Sequence, residues 1–241
     1  MSRWLERYLA GDRIRVWTEM ASMGDRLSQD ADWGGAISVA RETMRRARSN
    51  VERLIKLLPE AGFEFENPLE TILVPPSPAD SGALDRLEQK IGHLPVSLRC
   101  WYEEVGQVNL VGRNPRWQHE LTDPLVVDAP LEFVESEYDQ WLQDRGTEWD
   151  QGPFRVDIAP DYLHKANISG GVPYALAVPN AGADRLVLWE PHQTMFVNYL
   201  RCSFRWAGLP GWDPASGHGW SAPRVAFPPI LAEIAESLLP I

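Results

Sequence analysis

The stretch nearest to a reactive constellation is HKANISGG, His164 to Gly171. A histidine, a lysine and an asparagine precede a Ser-Gly-Gly turn. His164, Lys165, Asn167 and Ser169 offer a small-molecule-binding or hydrolytic site, with the turn's backbone N–H groups available to an anion. Ser169 is not set in a Gly-x-Ser-x-Gly elbow, so no activated nucleophile follows. The plainer reading is a turn whose glycines permit positive φ ahead of Pro173. The histidines (His93, His119, His164, His192 and His218) include no i, i+4 pair. Cys100 and Cys202 have neither metal-like nor redox-like spacing. No metal and no cofactor is expected, and neither a phosphate-binding loop nor a dinucleotide fingerprint occurs.

A second kind of chemistry is recognition. From Glu120 to Asp150 ten acids face one base, Arg145, and this stretch carries −9 of the chain's formal −11. Phe133, Tyr138, Trp141 and Trp149 lie among the acids. Rings beside carboxylates suit a basic protein partner, the rings as anchors and the charges for steering. Glu132, Glu135, Glu137, Asp139, Trp141 and Asp144 are the candidate contact residues. The bland alternative is an acidic, solvated connection whose aromatics are core.

Elements must position these groups. The chain has 241 residues, of which 44% are hydrophobic. That suits a globular protein of one large domain, or one domain with an extension. No apolar run reaches the roughly 18–20 residues of a membrane span. MSRWLERYLAGDR has charges throughout and no secretory pattern, so the expected compartment is the cytoplasm, with reduced thiols. The net charge of −11 disfavours nucleic acid, which needs a basic footprint.

Two short helices are expected before residue 30, broken at Gly11. The clearest helix follows: Ile37, Ala40, Met44, Ala47, Val51, Leu54 and Leu58 recur at gaps of three and four, so they form one stripe. Its other face holds Arg41, Arg45, Arg46, Arg48, Arg53 and Lys56, a solvated face or, less simply, a nucleic-acid arm. LVPPSPADSGAL reads as a linker, dividing a helical N-terminal extension (1–75) from an α+β domain (76–241). Ser81 caps a helix at 83–91. HLPVSLRCWYEEVG is a helix over 95–105 that starts at Pro95 and stops at Gly106. Strands are expected near 108–111, 125–129, 154–158, 174–178 and 185–189, with extended pieces across 125–134 interrupted at Pro130. A helix at 194–207, capped by Thr194 and stopped by Gly208, a Gly/Pro/Trp-rich loop (208–223) and the helix ILAEIAESLL complete the chain. Helices, then strands, then helices predict one central, mostly antiparallel sheet covered by helices.

This order, with Leu94-Pro95, Leu98, Trp101-Tyr102, Val105-Gly106 and the strand Val108–Val111, resembles the SUKH superfamily. That group includes a yeast cell-wall-synthesis regulator and many bacterial immunity proteins. Its members often carry Asn-Gly where Val105-Gly106 stands here. DYLHKANISGGVPYALAVPN (161–180) is also similar to the middle of bacterial members, and the resemblance covers roughly 80–235. It implies a SUKH-like α+β fold whose aromatic helix packs on the sheet, and a non-enzymatic interaction role. Many such immunity proteins neutralise basic nuclease toxins, so the expected partner is a basic protein such as a nuclease-type toxin, without membrane or nucleic acid, and the chain is compatible with a homo-oligomer.

Overall fold

The apolar stripe from Ile37 to Leu58 becomes α3 (Trp33–Leu57), the longest helix of the protein. The computed structural model describes residues 2–117, 121–216 and 226–241. His119, Glu120, His218 and residues 217–223 of the Gly/Pro/Trp-rich loop lie outside the described residues. Ala40, Met44, Ala47, Val51, Leu54 and Leu58 are buried to the last atom, and Ile37 is half-buried at the edge of the same core. The helices α1 (Arg3–Leu9) and α2 (Arg13–Ser22) precede α3, and α1 packs on it through Trp4 and Tyr8. The guanidinium face of α3 is engaged in ion pairs. Arg41 meets Glu103 at 3.0 Å, Arg46 meets Glu42 at 2.8 Å, and Arg48 meets Glu52 at 3.0 Å.

Of the segment expected to link two units, LVPPSPADSGAL (73–84), the first two residues lie in a strand and the last five in a helix. β1 (Glu64–Phe65) is followed by the short α4 (Leu69–Ile72) and β2 (Leu73–Val74). β2 pairs antiparallel with β3 (Gln107–Asn109), Leu73 opposite Val108. β1 pairs with β4 (Gly112–Arg113). Residues 1–75 therefore supply two strands and share one hydrophobic core with the remainder. Two-residue strands carry no readable alternation, and beside Leu73-Val74 the prolines of LVPPSPADSGAL dominate the sequence signal.

Between β2 and β3 stand α5 (Asp80–Ile91) and α6 (Val96–Glu104). α5 begins one residue ahead of Ser81, and Asp80 closes its first turn by accepting from Ser77 N at 2.6 Å. α6 lies against α3. Trp101 and Tyr102 are core residues, Trp101 standing edge-on to Phe196 at 5.7 Å. Gly106 ends the helix at φ +91°, where a Cβ would sit 2.1 Å from Val74 O. Only a residue without a side chain lets the helix end turn into β3 while β2 lies alongside.

The sheet is not one piece. β3 also pairs with β5 (Val126–Val127), giving the order β2-β3-β5. After α7 (Leu131–Asp144), a second antiparallel ladder follows in the order β6 (Arg155–Ala159), β7 (Tyr174–Ala177), β8 (Val187–Leu188). The ladders are joined where Asp128 N donates to Ile158 O at 2.8 Å. The expected central sheet is thus two three-stranded ladders and a two-stranded one, all antiparallel, and the fold is mixed α+β. The expected extended run across 125–134 ends at Pro130, and Leu131–Val134 open α7 instead. Val134, Tyr138 and Trp141, at i, i+4 and i+7, hold that helix on the core. α8 (Phe196–Arg205) and α9 (Pro229–Ser237) end the chain, with Met195 at the cap position of α8. Among the described residues no helix is long and apolar enough to cross a membrane.

Candidate functional site

α7 presents acids on two sides. On one, Glu135 and Asp139, one turn apart, both accept from Lys90 Nζ of α5, at 3.0 and 2.8 Å. Glu132 stands exposed in the first turn. On the other, Glu137, Gln140, Trp141 and Asp144 line an open groove of about 220 Å³. Phe154, Arg155 and Asp157 of the β6 region form the opposite wall, with Trp149 and Trp189 among its rings. Three of the six expected contact residues, Glu137, Trp141 and Asp144, therefore meet in one place, and the other three face away from it.

The rings divide into fixed and free. Trp141 stacks on Tyr138 at 5.3 Å and donates its Nε1–H to Gly152 O at 2.7 Å. Arg145 lies over its ring at 4.8 Å. Trp141 is therefore wall and support at once. Trp149 is 67% exposed and Trp189 46% exposed. Trp189 sits in the left-handed region at φ 60°. A bulky residue there costs roughly 1–3 kcal/mol, a strain that concentrates at functional positions. Trp189 and Asp157 were not legible as site residues, because each comes from a strand region remote in sequence from α7.

Charge in the groove is unbalanced. Glu137, Asp144 and Asp157 face Arg155, whose guanidinium stacks over Trp189 at 4.9 Å and bonds Gln151 Oε1 at 3.1 Å. Partial burial, and then the Glu137 carboxylate, push the Asp157 carboxyl upward. A cation entering between them relieves that repulsion.

The 164–169 residues do not assemble. Lys165 is buried, its Nζ on Asp123 Oδ1 at 2.7 Å, and Tyr174 OH donates to Asp123 Oδ2 at 3.0 Å. His164 reaches back to Asp161, whose Oδ1 also accepts from Leu163 N at 2.8 Å. Asn167 takes the left-handed region at φ 57° and donates to Glu66 Oε1 at 2.9 Å. Ser169 is exposed. Gly171 is needed because a Cβ there would stand 2.2 Å from Asp161 Cγ. These groups build a turn and a buried ion pair. No protein-family model matches the chain, and no curated protein or solved structure matches it.

Proposed function

We propose that this is a non-enzymatic protein-interaction module, whose groove between α7 and the β6–β8 ladder receives a basic segment of a partner protein. The observation that carries this reading is the pairing of Glu137 with Asp157 across a groove ringed by Trp141, Trp149 and Trp189. Carboxylates supply long-range attraction for Lys or Arg, and the exposed rings supply apolar and cation–π anchorage. With the SUKH-like features of residues 94–111, the proposed role is that of a cytoplasmic immunity protein covering a basic, nuclease-type toxin. A hydrolytic role for the 161–171 loop has less support, since Lys165 is spent on Asp123 and His164 on Asp161.

The test uses synthetic Lys/Arg-rich peptides bearing Leu or Phe, with an acidic peptide of equal length as control, read by tryptophan fluorescence. Glu137→Lys combined with Asp144→Lys should slow association at least about tenfold at low salt, and the difference should shrink as salt rises. Trp149→Ala should leave association nearly unchanged and speed dissociation. Equal binding of the acidic peptide, or charge reversals without effect at low salt, would sink the reading. The immunity role needs a further result: stoichiometric inhibition of a basic nuclease toxin, lost in the same variants.

A further inference from the structure

Beyond the groove, three elements bring together a constellation that linear spacing conceals. His192 lies on the turn after β8, Cys202 on α8, and Asp213 just after the 210–212 turn. Cys202 Sγ stands 3.4 Å from His192 Nε2 and 3.5 Å from Asp213 Oδ2, and Nε2 stands 3.7 Å from that oxygen. We propose that these three side chains form a Zn²⁺ site.

Geometry is the first argument. Zn²⁺ lies about 2.3 Å from sulfur, about 2.0–2.1 Å from imidazole nitrogen and about 2.0–2.2 Å from carboxylate oxygen. A tetrahedron with those radii has S···N and S···O edges of about 3.5–3.6 Å and an N···O edge of about 3.4 Å. The three observed separations fall within about 0.3 Å of these edges, so an ion fits with little movement. The fourth corner is left for water or another ligand, as in open three-ligand sites.

The surroundings give the second. Glu190 accepts from His192 Nδ1 at 2.5 Å, which fixes the tautomer and leaves Nε2 to face the thiol. This carboxylate–imidazole–metal order is the usual outer support of a zinc histidine. Glu190 is buried, and its Oε2 has no hydrogen-bond partner among the described residues. Asp213 Oδ1 is held by Ala215 N at 2.9 Å, while Oδ2 faces the Cys202 thiol.

Charge decides between a metal and a nucleophilic cysteine. Cys202 lies in the C-terminal half of α8, at the negative end of the helix dipole, with Asp213 beside it. Activated thiolates favour helix N-termini and cationic neighbours. Here Glu190, Asp213 and the helix end all oppose a free thiolate, and all are compensated by a dication. Sulfur and imidazole ligands select Zn²⁺ over Mg²⁺ or Ca²⁺.

The full-length protein, stripped of metal and retitrated with Zn²⁺ or Co²⁺, tests this. One equivalent should bind, Co²⁺ should give a thiolate charge-transfer band with intense tetrahedral visible bands, and Zn²⁺ should shield Cys202 from iodoacetamide. Cys202→Ser should abolish the charge-transfer band. Glu190→Gln should weaken binding about 10–100-fold, and Asp213→Asn by at least tenfold, with circular dichroism confirming the fold. The wild-type titration and alkylation stand on their own if a variant does not fold. Substoichiometric binding, variants that bind as wild type, or rapid Cys202 alkylation unaffected by Zn²⁺ would overturn the site, the last in favour of a free reactive thiol.

Discussion

Asp184 joins two helix beginnings. Its Oδ1 accepts from Ser97 Oγ at 2.7 Å in the first turn of α6, and its Oδ2 accepts from Val197 N at 3.1 Å in the first turn of α8. The first N–H groups of α6 are met from the same segment, Val96 N by Gly182 O and Ser97 N by Ala183 O. These bonds and the helix dipoles favour the carboxylate, yet burial opposes it more strongly and pushes its pKa up to about 6. The native state therefore holds a proton that the unfolded chain, with a carboxyl near 3.8, has released. The sign follows: the raised carboxyl adds stability at acid pH that is lost as pH rises from about 4 through 6. A difference of about two pKa units corresponds to about 3 kcal/mol. Urea unfolding at fixed salt across pH 4–7 should show this falling contribution, and Asp184→Asn should flatten it. The amide nitrogen cannot accept from Val197 N, a loss of about 1 kcal/mol that does not itself vary with pH, so the difference between the two proteins should narrow as pH rises. An unchanged pH slope in Asp184→Asn would show that another group titrates.

At the scale of elements, a helix was legible where one face stays apolar for several turns. α3 is the clear case, its stripe read directly from gaps of three and four. α7 was missed: Leu131–Val134 looks extended beside Pro130, and the stripe of Val134, Tyr138 and Trp141 becomes visible only when the acids between them are taken as a solvated face. β1 and β2 were not legible, since pairs such as Glu64–Phe65 are strands only by virtue of their partners Gly112 and Arg113. The junction of α6 and β3 is the element most sharply specified by one residue. Gly106→Ala meets both a positive φ of +91° and a carbonyl at 2.1 Å. Neither conflict relaxes without separating β2 from the helix end, so a loss of about 3 kcal/mol or more is expected. Thermal melting measures it, and a loss below 1 kcal/mol would mean that β2 moves freely. The groove's far wall was hidden for a related reason: Asp157 and Trp189 reach α7 only through ladder pairing, which a single chain read in order does not display.

For the whole molecule, the question is whether the first 75 residues are an appendage. Their removal takes β1 and β2 from their ladders and leaves Val108 without Leu73 across from it. It also strips α3 from α6, exposing Leu98, Trp101 and Val105 neighbours of a core in which Met44, Val51 and Leu54 are fully buried. The C-terminal end is tied to the same helix: Asn50 Nδ2 donates to Leu239 O at 2.9 Å, and Leu239 N donates to Asn50 Oδ1 at 2.7 Å. A buried amide satisfied twice by the last residues closes the chain onto its N-terminal third. We expect the full-length chain to unfold as one cooperative unit, with the slowest amides of α3, α6 and β3 exchanging at a common free energy. Asn50→Ala leaves both Leu239 backbone groups unpaired and should lower stability by about 2–3 kcal/mol, and α9 protection should fall with it. A 76–241 chain should then lose its sharp melting transition and bind a hydrophobic dye. If it melts within a few degrees of the full-length protein and stays monomeric, residues 1–75 are an appendage after all, and α3 covers a face that α6 can leave open.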